Sequence, residues 1–100
     1  MNYVDIKTDC MPLPDKEQFL VSCGRVVERI SASAPSDSLI NVAVDYDGDD
    51  FLLSLDVISG ELNFSVVHEA KSPFVALEKI HKDSMERIKK WTATRKIQVA

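Results

Sequence analysis

Residues 40–70 read INVAVDYDGDDFLLSLDVISGELNFSVVHEA, and apolar side chains recur there at every second position. Ile40, Val42, Val44 and Tyr46 form one set, Phe51, Leu53, Leu55 and Val57 a second, and Leu62, Phe64, Val66 and His68 a third. A period of two belongs to an extended chain with one face against a core. The stretch therefore predicts three strands. Asp47-Gly48-Asp49-Asp50 and Ser59-Gly60 separate them, short turn clusters in which Gly is available for positive φ, so the strands should form an antiparallel meander. The alternate positions Asn41, Asp45, Ser54, Asp56, Asn63, Ser65 and Glu69 predict an acidic, polar face turned to solvent.

Upstream, residues 2–8 (NYVDIKT) alternate weakly, with Val4 and Ile6 on one side, which suits a half-buried strand. Met11-Pro12-Leu13-Pro14 cannot be helical across its prolines, and Asp15 followed by Gln18 reads as an N-cap with its capping-box partner. In the helix that follows, Phe19, Cys23, Val26, Val27 and Ile30 gather on one side, while Ser22, Arg25 and Arg29 share an exposed stripe. Ser31–Asp37, with Pro35, ends it. Downstream, Ser72-Pro73 starts a second helix: Ser accepts from a free first-turn N–H, and Pro at the first helical position loses nothing by lacking one. This helix is expected to reach about Thr94, with Phe74, Leu77, His81, Met85, Ile88 and Trp91 as its apolar stripe and Ser84 inside the arc.

The predicted order is β-α-β-β-β-α, an α+β fold in which both helices cover one face of a four-stranded sheet. One hundred residues, 45% hydrophobic and 28% charged, suffice for one core without metal or disulfide staples. A single domain over 1–96 follows, with 97–100 as a C-terminal tail expected to be disordered. The chain shows no signal-peptide run and no apolar stretch of bilayer length, so a cytoplasmic protein with no membrane partner is expected. Cys10 and Cys23 form no CxxC pattern and are expected to be free thiols, Cys23 buried.

Charge is sorted along the chain. Residues 1–29 carry −1, residues 30–70 carry −8 with no Lys or Arg at all, and residues 71–100 carry +5, within a net charge of −4. Lys79, Lys82, Lys89 and Lys90, with Arg87 beside them and Arg95 and Lys96 beyond, supply flexible cations on one helix, as phosphate neutralisation requires. Arg25 and Arg29 could continue that surface. A solvated helix face, its charges diluted by pairs such as Glu78–Lys82 and Glu86–Lys90, accounts for the same residues without a partner.

Chemistry-bearing patterns are few. Asp45–Asp50 has alternating acids, with Asp56 at the twelfth position of an EF-type loop, but its glycine is fourth rather than sixth and its flanks are strands, so it reads as a hairpin turn and not as a metal site. His68 and His81 read as packed or hydrogen-bonded residues. Cys23 lies on the core side of its helix, where a thiol behaves as a small hydrophobe. With three glycines and no phosphate loop or GxSxG, the chain offers no catalytic residues, no cofactor and no small-molecule substrate.

The β-α-β-β-β-α order, Gly60-Glu61-Leu62 opening the last strand, and the helix beginning Ser72-Pro73-Phe74-Val75-Ala76-Leu77-Glu78 together resemble the ribosome hibernation-promoting factor and ribosome-associated inhibitor family over residues 2–96. In that family the last helix starts with a polar cap, an aromatic two residues on, then Ala-Ile/Leu-Asp, and Phe74, Ala76, Leu77 and Glu78 stand in those places. The resemblance implies a non-enzymatic translation regulator that docks in the decoding channel of the small ribosomal subunit and excludes tRNA and mRNA. Its rRNA phosphate contacts would be Arg25, Arg29, Lys79, Lys82, Arg87, Lys89 and Lys90, with Arg95 and Lys96 in support. The meander here carries no bases, which keeps open a second reading: a regulatory module that retained the fold, lost RNA binding, and meets a protein partner through its acidic sheet face.

Overall fold

The computed structural model describes residues 3–7 and 15–99, and the element order is the expected one: β1 Tyr3–Lys7, α1 Asp15–Ser33, β2 Leu39–Tyr46, β3 Phe51–Ile58, β4 Asn63–Ala70 and α2 Pro73–Val99. Cys10 and the Met11–Pro14 break fall outside the described residues, as does the side chain of Asp15 and with it the capping box. The sheet order is β1-β2-β3-β4. β1 runs parallel to β2, in register Val4 with Ile40 and Ile6 with Val42, and β2–β3 and β3–β4 are antiparallel. β4 consequently points the same way as β1 and β2. Each helix returns across the sheet after such a strand, so α1 and α2 run side by side in the same direction, and an edge-to-face contact of Phe19 with Phe74, 6.0 Å between ring centres, joins their first turns.

Both hairpins close on four residues. At Asp47–Asp50 the Asp47 carboxylate accepts the backbone N–H groups of Asp49 (2.9 Å) and Asp50 (2.8 Å), and Gly48 takes the left-handed conformation, φ +98°. Those bonds, Asp50's first, hold the Asp47 carboxyl below the usual carboxylate range. The turn spends this acid on its own backbone. In the second hairpin Ser59 Oγ accepts from Leu62 N–H and donates to Leu62 C=O, both at 2.8 Å, and Gly60 N–H donates to Asp37. Gly60-Glu61-Leu62 is thus the turn itself, the strand beginning at Asn63.

One core lies between the sheet and the helices. Ile40, Val42, Val44, Leu53, Leu55, Val57 and Val66 line the sheet side, and Phe19, Cys23, Val27 and Ile30 of α1 meet them. Burial also pushes the Cys23 thiol up to about 11, which leaves it protonated and inert. On α2 the buried arc is Ala76, Leu77, Ile80, Ser84 and Ile88, whereas Phe74, His81, Met85 and Trp91 are only half-buried. The expected stripe thus takes in Phe74 and His81 on the α1 side and Trp91 on the β4 side, and omits Ile80, which is completely buried. α2 also continues past Thr94 to Val99, taking in positions 97–99 of the expected tail.

Ser84 sits in that arc with no exposure, and its hydroxyl has no hydrogen-bond partner among the described residues. A buried unsatisfied hydroxyl costs about 1–3 kcal/mol. Ser84→Ala should therefore stabilise the protein by about 1 kcal/mol, a rise in Tm of roughly 4–8 °C for a domain of this size. Calorimetry decides the point, since an unchanged or lower Tm would mean that the hydroxyl is satisfied.

Candidate nucleic-acid interface

The two helices form one layer, and its outer side holds the cations of the sequence analysis. Arg25, Arg29, Lys79, Lys82, Lys89 and Lys90 are all exposed. Ser72 caps α2 as expected, its Oγ accepting from Phe74 N–H at 3.2 Å. Among the described residues the Glu78–Lys82 and Glu86–Lys90 pairs do not form, and Asp83 is the acid of α2 that is engaged, by His68 and by Arg87. Lys79, Lys82, Lys89 and Lys90 take part in no ion pair among the described residues, which leaves them to meet an external anion.

They do not make a single stripe. Arg25 and Arg29 of α1 line a groove of about 370 Å³ with Phe74, Leu77, Glu78 and His81 of α2. A second depression, lined by Glu78, His81, Lys82, Met85, Glu86 and Lys89, adjoins it through Glu78 and His81. Arg25 and Arg29 thus line the interhelical groove, and Lys82 and Lys89 line the depression on α2 that adjoins it. Arg87 and Lys90 line a different groove, between β4 and the C-terminal half of α2, with Phe64, Asp83 and Trp91. Lys79 lies eleven residues before Lys90, close to three helical turns, and so shares that flank. Arg95 and Lys96 fall in the last turns of α2, and their side chains lie outside the described part.

Arg87 is also committed elsewhere. Its Nε–H donates to Asp83 (3.2 Å), its guanidinium lies 5.9 Å from the centre of the Phe64 ring, and His68 of β4 contacts the other Asp83 oxygen at 3.0 Å. Because an ionised carboxylate only accepts, His68 Nε2 carries the proton of that bond. The trio is a clamp between β4 and α2. The i, i+4 spacing of Asp83 and Arg87 signalled half of it in the sequence; the partnership with His68 needs the fold. The bond from His68, then that from Arg87, holds the Asp83 carboxyl below its usual range. A depressed carboxyl stabilises the fold above its unfolded pKa, about 3.9, and this contribution is lost as pH falls through the lower folded value. Asp83→Asn should flatten the stability–pH curve below about pH 4, read from urea midpoints; a curve parallel to the parent's would mean that the clamp carries no ionic stabilisation.

A four-stranded mixed sheet covered on one face by two codirectional helices defines the class of fold. No family model and no curated protein sequence matches this chain. Solved structures do. A ribosomal subunit interface protein from Coxiella burnetii superposes with a TM-score of 0.69 at 10% identity, covering 93% of this chain and 99% of that one. The N-terminal domain of Protein Y from Thermus thermophilus gives 0.68 at 12% identity, covering 91% and 99%. At such identities the likeness is one of fold.

Proposed function

We propose that the protein is a non-enzymatic, ribosome-associated regulator of translation that docks on small-subunit rRNA through its helical layer. The observation that carries this reading is the division of charge between opposite faces: exposed cations of both helices line the interhelical groove and the α2 depression that adjoins it, while Asp45, Asp56 and Glu69 of the meander strands lie on the other side of the sheet. A polyanion is attracted to one side and repelled from the other, which orients the molecule as well as binding it. The fold likeness to a ribosomal subunit interface protein supports the choice of ribosome over other polyanions.

Within this reading Arg25, Arg29, Lys82 and Lys89 are the primary phosphate contacts, Lys79 and Lys90 form a second set, and Arg87 mainly holds α2 on β4. Such contacts add affinity and salt dependence rather than sequence choice. A protein of this kind acts in the cytoplasm and needs no cofactor. No helix of the described residues is long and apolar enough to cross a membrane.

Sedimentation with small ribosomal subunits across a salt series tests the reading. Four neutralised phosphates predict a loss of affinity on the order of 10²-fold between about 50 and 200 mM salt, from counterion release. Absence of binding at 50 mM would remove the rRNA reading.

A further inference from the structure

The face of the sheet turned away from the helices is not the uniformly polar surface its acids suggest. Leu52, Ile58 and Val67 project there with 41%, 47% and 54% of their surface exposed. The strand register orders them. Leu52 lies between Asp45 and Glu69 in one cross-strand row, Val67 occupies the next row with Ala43 and Ser54, Asp56 the third, and Ile58 the fourth. Alternate residues along a strand are about 6.8 Å apart. The acids of the first and third rows therefore stand about 14 Å apart, with the Val67 row between them and the Ile58 row beyond.

β2, β3 and β4 contribute no Lys or Arg, and Lys71, just beyond β4, pairs with Asp49 of the first turn at 3.9 Å and not with these rows. The first row is crowded with like charge: the Asp50 carboxyl, and less strongly Asp47, raises the pKa of Glu69. A cation arriving there relieves that repulsion.

We propose that this face docks a basic polypeptide segment, extended along the strands, that presents Lys or Arg to the Asp45–Glu69 row, an apolar side chain to Val67, a second Lys or Arg to Asp56 and a second apolar side chain to Ile58. Charge complementarity selects the occupant, since an acidic rim disfavours nucleic acid and anionic lipid alike. The register of the rows sets its pattern, basic and apolar residues alternating at every second position. The aliphatic stem of the first Lys or Arg would also cover Leu52. The proposal is independent of rRNA binding by the helical layer, which it leaves on the opposite side of the molecule. Together the two faces would let one small domain bridge a polyanion and a basic protein.

The test uses the full chain, isotopically labelled for amide NMR, titrated with the capped heptapeptide Lys-Ser-Leu-Ser-Lys-Ser-Leu. Shifts should centre on Leu52, Asp56, Val67 and Glu69. Replacing both leucines of the peptide with Ser should weaken binding about tenfold, the equivalent of about 1.4 kcal/mol, and replacing both lysines with Glu should abolish it. In the protein, Val67→Ser should weaken binding several-fold and Glu69→Lys more strongly, with Tm not lowered because both residues are exposed and with salt-sensitive ribosome sedimentation unchanged because both lie on the face away from the helices. Equal affinity for the leucine-free peptide, shifts centred on the helices or along the outer edge of β4, or indifference to both protein variants would overturn the proposal.

Discussion

Reversing Lys82 and Lys89 to Glu should remove most of the salt-sensitive association with small ribosomal subunits, and adding Arg25→Glu and Arg29→Glu should abolish it. Each reversal exchanges a phosphate-neutralising cation for a repelling anion, and the loss of one contact lowers the salt slope by about one unit. The fold should survive, because all four side chains are exposed and none joins an ion pair of α2. A charge-matched control separates a site from a general field. Lys79→Glu with Lys90→Glu makes the same change in net charge on the other flank of α2, and should cost clearly less affinity than the Lys82 and Lys89 pair. Equal losses would mean that the interhelical groove has no special role, and unchanged binding in the fourfold variant would sink the helical-layer model altogether.

The largest effect on stability is expected at Ile80. Truncating a fully buried Ile to Ala removes its transfer free energy and leaves a cavity that close packing against the sheet fills poorly, a loss of about 2–5 kcal/mol. Against the roughly 5–15 kcal/mol that holds a domain together, this leaves a marginal protein. Urea unfolding should show the midpoint falling by about 1–2 M with the slope unchanged. Met85→Ala on the same helix should cost far less, because Met85 is only half-buried beside the interhelical groove. Equal costs would place the centre of the α2 interface toward α1 instead of the sheet.

That pair of residues shows where the sequence could be read and where it could not. The meander was legible because a strand has two faces and a period of two: Ile40, Val42, Leu53, Leu55, Val57 and Val66 could point only together, and all are buried. The last helix was harder, since it packs against two neighbours. Phe74 and His81 turn toward α1 and Met85 is half-buried, while Ala76, Ile80 and Ser84 are fully covered, so the buried arc is wider than one stripe and the largest side chains do not mark its axis. The open face was misread for a related reason. Its acids are all there, but Leu52, Ile58 and Val67 sit among them, and a search for one apolar set per strand passes over a second.

The candidate interface divides along the same line. Local chemistry fixes the segregation of eight acids and no bases into residues 30–70, the exposure of Lys79, Lys82, Lys89 and Lys90, and the capping of α2 by Ser72, because charge, capping and amphipathic period depend on neighbours within a few residues. Which cations share a surface depends on helices brought together from distant parts of the chain. The crossover after β1 and the return after β4 lay α1 and α2 in the same direction, so that Arg25 and Arg29 face Glu78 and His81 across a groove, next to the depression on α2 that Lys82 and Lys89 line. The same packing draws His68 to Asp83 and ties Arg87 back onto β4. Spacing along one chain carries no record of such distances; they arise only when the core closes and sets the rotation of each helix over the sheet.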